Sequence, residues 1–145
     1  MPRASLVLRA LGYLIDLLPT FLLIPFILIP ILGQIMMGML LCIYWLLRDI
    51  QGASLGKLAL GCRVESVSSE VANPQKGRVI RNLPFAFVCL CFAFPILGFV
   101  LLLVVGPVVI LSESLALILT GRRLGDMIAG TTVVTNPSIS SGVRP

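Results

Sequence analysis

The run LPFAFVCLCFAFPILGFVLLLVVGPVVILSESLALIL, residues 83–119, carries a single charged side chain, Glu113. As one helix it would reach about 55 Å at 1.5 Å per residue, against a hydrocarbon core of about 30 Å, so it has to turn back on itself. Pro95 and Gly98 supply breakers for that turn, with Gly106 and Pro107 further on. The apolar block 4–47 has the same form, with Pro30 and Gly33 as its breakers. Hydrophobic residues make up 58% of the chain and charged residues only 12%, well outside the range of soluble globular chains. The expected fold is an all-α polytopic membrane protein with four transmembrane helices arranged as two hairpins. The spans are expected over 6–29, 34–47, 83–97 and 99–120, with a cytoplasmic loop over 48–82, all within one membrane domain of residues 1–135.

Charge placement tests the count of four. With four spans, all 11 basic residues fall on one side: Arg3 and Arg9 at the start, Arg48, Lys57, Arg63, Lys76, Arg78 and Arg81 around the central loop, and Arg122, Arg123 and Arg144 after the last span. Both hairpin tips are uncharged. A three-span arrangement would export Arg122 and Arg123 beside a membrane end, against the positive-inside rule. The expectation is therefore a multi-pass protein of the cell membrane with both termini cytoplasmic. Its first apolar run exceeds a signal h-region, carries Asp16 and has no small-residue cleavage site, so it is read as retained. The net charge of +5 is scattered between apolar blocks. That pattern suits anionic lipid headgroups as partners and argues against nucleic acid.

The chain contains no histidine, which excludes His-based general-base catalysis, His metal ligation and His-paired nucleophiles. Cys42, Cys62, Cys89 and Cys91 are read as free thiols without a metal or a disulfide, and no cofactor is expected. Gly52-Ala53-Ser54-Leu55-Gly56 matches G-x-S-x-G, but a span precedes it and no His exists to activate the serine. Gly56-Lys57 is followed by Leu58 where a phosphate loop needs Ser or Thr. Gly125-Asp126 has Arg123 where intramembrane aspartyl proteases carry a further glycine. The protein is not expected to be an enzyme.

Within the central loop, Ser54 is placed to cap a short interfacial helix in which Leu55, Leu58, Ala59 and Cys62 share a face and Lys57 lies off it, ended by Gly61. Residues 62–67 alternate as a strand does, Asn73-Pro74 and Lys76-Gly77 read as turns, and 131–135 is β-branched and strand-like. The two strands are expected to pair as a small cytoplasmic sheet, and 136–145 is expected to be a disordered tail. The segment from Gly52 to Val64 aligns without gaps to the segment from Gly121 to Val133, and each follows a two-span hairpin. As a duplication, this implies a pseudo-twofold axis along the membrane normal. Lys57 and Asp126 occupy matching positions with opposite charge, each expected to cap or pair with groups of the other half.

The first span carries Ser5, Arg9, Gly12, Tyr13, Asp16 and Thr20 at three- or four-residue steps, a polar stripe that must face protein or water. Arg9 and Asp16 are too far apart along the helix for a simple pair, so Asp16 is expected to find its partner on another helix. Glu113 is the other acid inside a span. Their similar depth below the arginines suggests one membrane-embedded site of Arg9, Asp16 and Glu113, either an ion or proton site or a set of helix contacts.

These residues resemble the RDD family of membrane proteins, named for an arginine and two aspartates. Arg9 and Asp16 are similar to the arginine and first aspartate, and Asp126 to the second. Ser54, Gly56 and Lys57, followed by Gly61-Cys62-Arg63-Val64, resemble the family's loop, with Ser54 where threonine is more usual. Gly125 stands where the family often has histidine. The resemblance covers nearly the whole chain. It implies transport of a cation or small solute, proton-coupled in some members; since four short helices hardly enclose a pathway alone, a homo-oligomer is expected. The alternative is a non-catalytic accessory or scaffold protein.

Overall fold

The computed structural model describes residues 4–67, 73–95 and 97–135; the expected tail lies outside them. In chain order the elements are α1 (Leu6–Phe21), a 3-10 turn (Ile24–Leu28), α2 (Leu32–Leu47), α3 (Leu55–Ala59), β1 (Cys62–Ser66), α4 (Pro74–Ile80), α5 (Leu83–Phe92), α6 (Leu97–Thr120), α7 (Leu124–Ile128) and β2 (Thr131–Thr135). The molecule is mostly helical with one two-stranded sheet. Among the described residues α6 is the one helix long and apolar enough by itself to cross a membrane, while α2 and α5 are apolar but shorter.

Helix breakers account for the departures from the expected spans. The first helix stops at Phe21 instead of running to residue 29, because Pro25 enters a 3-10 turn at its first positions and the chain then reverses through Ile31 at φ 60°. Where a third span over 83–97 is expected stands the ten-residue α5, with Pro84 near its start. Lys76-Gly77 is helical, not a turn: Asn73 accepts from the amides of Gln75 and Lys76 at 3.1 and 3.4 Å, and Pro74 begins α4 with its φ already set. In the core of the bundle α2 packs tightly on α5, where a Cβ on Gly38 would stand 2.6 Å from the Ala93 backbone.

The two strands pair, as the pattern predicts, and they do so antiparallel with Val64 opposite Val133. Those two valines are also equivalent in the sequence repeat. A twofold axis passing between them maps Cys62 opposite Thr135 onto Thr131 opposite Ser66, and both pairs are present. The same offset relates Gly52 to Gly121 and Gly61 to Gly130, and all four have positive φ, from 61° to 102°. It relates α3 to α7 and carries α1 onto α4 and α5. Two copies of one unit, a helical hairpin followed by a short helix and a strand, are joined at the sheet.

Polarity runs opposite to that of a water-soluble domain. Among the described residues the buried set holds ten hydrophobic and eleven polar or charged ones, while Leu28, Leu103, Leu119 and Ile128 lie on the outside, each more than 70% exposed.

Candidate functional site

The polar stripe of α1 turns inward only in its middle. Arg9, Gly12 and Asp16 are buried, whereas Ser5 caps Leu8 from an exposed position and Thr20 donates to the Leu17 carbonyl of its own helix. Gly56 lets α3 approach α1 so closely that a Cβ on it would stand 1.9 Å from the Gly12 carbonyl oxygen. That approach sets the N-terminus of α3 on Asp16. Oδ1 accepts from the Gly56 amide at 2.8 Å, and Oδ2 accepts from Ser54 Oγ at 2.6 Å and Arg48 Nη1 at 3.3 Å. Asp16 thus has its partner on another helix, as its spacing from Arg9 requires. Ser54 stands at the N-cap position but makes no capping bond: its hydroxyl donates to Asp16 and accepts from Lys57 Nζ at 3.0 Å. The carboxylate of Asp16 takes over the amide that the serine would have capped.

Asp49, just past the end of α2, joins the two halves. Lys57 Nζ lies 2.6 Å from its Oδ1; Asn82 Nδ2 donates to Oδ2 at 3.2 Å; Arg81 Nε and Arg48 Nε stand 3.8 and 3.9 Å from Oδ2. Burial works against the Asp49 carboxylate, but Lys57, Arg81 and Arg48 outweigh it and hold its pKa down at about 2. Burial lowers Lys57 to about 8, with Asp49 opposing and Arg48 and Arg81 reinforcing the shift.

The second half repeats the arrangement with different residues. A Cβ on Gly125 would stand 2.1 Å from the Arg81 carbonyl oxygen, and the Gly125 amide donates to Glu113 Oε1 at 3.1 Å. Each short helix therefore meets a carboxylate of a long apolar helix, Asp16 of α1 or Glu113 of α6, at the equivalent glycine. Asp126 Oδ1 pairs with Arg81 Nη2 at 2.8 Å and Arg123 Nη2 at 3.4 Å. Lys57 and Asp126 accordingly pair within their own halves, a correction to the expected cross-pairing. Both face inward from their short helices, toward charges at the ends of the adjoining helices.

Asp16 and Glu113 are not joined: among the described residues no hydrogen bond or ion pair links them, and each serves its own short helix. Arg9 donates to the carbonyls of Gly121 and Val133 at 3.0 and 3.3 Å, tying α1 to the second half. Its counterpart in the repeat, Arg78, donates to the Ile50 carbonyl at 3.2 Å. Arg48, Asp49, Arg81, Asn82 and Arg123 belong to the cluster although their positions read as membrane-boundary charges. The available signal was their pairing at the ends of apolar runs, Arg48-Asp49 and Arg81-Asn82, where one of each pair can turn inward.

Chemically, every aspartate of the cluster is already countered. Asp16, Asp49 and Asp126 each have a cation within 4 Å, and the Arg48 guanidinium also lies over Trp45, 4.1 Å from the ring centre. The cavity at Asp16 measures about 10 Å³, the least that admits one water. Among the described residues no three of His, Cys, Asp and Glu are grouped to hold a metal ion. No protein-family model, curated protein or solved structure matches the chain.

Proposed function

We propose that the chain is a four-span membrane protein of the RDD type, with both termini and the sheet on the cytoplasmic side of the cell membrane. In this reading it acts as a non-catalytic accessory or scaffold, working as a homo-oligomer among anionic lipids. The inverted polarity, and the fact that four spans would put every basic residue of the sequence on one side, support the topology. One observation carries the choice of scaffold over transporter. Asp16 is 1% exposed, both of its oxygens are occupied by protein donors, and its cavity is about 10 Å³. A coupling carboxylate must be reached by water and cation; this one pins helices together.

Cation transport is the second reading. It is favoured by Glu113, whose Oε2 is buried without a hydrogen-bond partner beside a cavity of about 420 Å³. Reconstitution in liposomes with imposed cation and pH gradients separates the two. The scaffold reading expects flux equal to empty vesicles, and Asp16→Asn weakens assembly. Coupled flux that Glu113→Gln abolishes without loss of assembly would give transport the lead.

A further inference from the structure

We infer that the cleft between α1, α5 and α6 is a binding site for a phospholipid of the cytoplasmic leaflet whose head group carries a primary ammonium beside its phosphate. The inference rests on the four-span reading.

The cleft is a cavity of about 420 Å³ that continues into a second of about 290 Å³, the two sharing Tyr13, Phe85 and Ile110. Most of its wall is hydrocarbon and aromatic, and the second part runs on past Leu17 and Val88, which suits an acyl chain lying along α1. The charged exceptions are Arg9, Arg123 and Glu113, all of which line the larger part. Their proximity follows from the backbone, because Arg123 stands two residues before Gly125, whose amide holds Glu113.

Three residues that line the cleft each have a buried polar atom without a hydrogen-bond partner: Tyr13 Oη, Arg123 Nη1 and Glu113 Oε2. Two are donors and one is an acceptor. Buried groups of this kind are costly to leave unmade, and water alone would have to enter a site walled by hydrocarbon. Two guanidinium groups with one carboxylate complement a head group in which an anion and a cation are adjacent. The phosphate would take Arg123, Tyr13 and the positive field of Arg9, and the ammonium would take Glu113. A purely anionic head group would face Glu113 with nothing to offer it. A quaternary ammonium has no N–H to donate.

The test uses the full-length protein, delipidated in detergent, with defined lipids added and bound lipid counted by native mass spectrometry. Phosphatidylethanolamine should bind about tenfold more tightly than phosphatidylcholine or phosphatidylglycerol, as one charge-assisted hydrogen bond implies. Glu113→Gln should erase that preference. Ile110→Trp, at a position 56% exposed, should block the cleft and lower binding of every lipid without touching the polar cluster. Equal binding of the three lipids, or binding indifferent to Ile110→Trp, would overturn the inference. So would a disulfide-linked dimer trapped efficiently through Ile110→Cys in a cysteine-free background, since a second copy would then fill the cleft. Impermeant labelling of the two membrane faces reports separately on the topology, so a lost lipid preference in a correctly oriented protein refutes this site alone.

Discussion

Replacing Asp49 by asparagine keeps the shape of the side chain and removes the charge that touches both halves. With its folded pKa at about 2 against 3.8 for the ordinary carboxyl, neutralising Asp49 at pH 7 should cost about 2 kcal/mol by linkage. Breaking a buried pair with no relaxation costs about 3 to 5 kcal/mol. The lower figure should hold because the stranded partner can relax: Lys57 already has its pKa lowered to about 8, and without Asp49 it can shed its proton near neutrality. The penalty should then shrink between pH 6 and pH 9, and Asp49→Asn combined with Lys57→Met should cost less than the two changes summed. Trp45, the only tryptophan, stacks on Phe85 with ring centres 5.5 Å apart and reports unfolding by fluorescence in mixed micelles titrated with a denaturing detergent. A change for Asp49→Asn within about 0.5 kcal/mol of zero, the ordinary range for a surface site, would refute the view that Asp49 clamps the halves.

Acid should act through the same residue. Since its folded pKa lies below the unfolded value, the stability that Asp49 contributes is present above about pH 4 and is lost as pH falls toward 2, so the acid limb of a stability profile should flatten in Asp49→Asn. Lys57 gives a slope of the same sign in a higher window: between about pH 8 and 10.5 the unfolded chain binds the extra proton, so stability should rise with pH there, and Lys57→Met should remove that rise. Gly56→Ala and Gly125→Ala each push a methyl onto a backbone oxygen and should cost about 3 kcal/mol or more. Gly130→Ala meets open space and only a positive φ, for about 1 kcal/mol; equal losses at all three positions in the same unfolding assay would sink this account. In a cysteine-free background, cysteine at Leu28 should react with impermeant reagents from outside and cysteine at Ser66 only from inside. External labelling at Ser66 would overturn the four-span topology.

Much of the architecture follows from one-dimensional pattern. The length of the 83–119 run forces a reversal, Pro and Gly mark where it occurs, and the β-branched Thr131–Thr135 segment must pair with something. The strand pairing and the short helix after Ser54 were legible because local periodicity encodes them. The extent of α1 and α5 was not, since a proline inside or beside an apolar run leaves open whether the helix kinks, tightens into a 3-10 turn or stops. The repeat was visible as letters, but its meaning rests on what letters do not carry: four glycines in one backbone conformation and a strand register centred on Val64 and Val133.

The sequence by itself determined that acids lie within apolar helices and that Asp16 needs a partner beyond its own helix, because spacing along a helix axis is fixed geometry. Only the tertiary structure decided which partners those are. Asp16 goes to Ser54, Gly56 and Arg48, Glu113 to Gly125, and Asp49, unremarkable in the sequence, to both halves at once. Depth in the membrane made Asp16 and Glu113 look like one site, but depth is a single coordinate. Which helix faces which is set by close packing at Gly12 with Gly56 and at Gly125 with Arg81, contacts between residues far apart in the chain that no local pattern encodes.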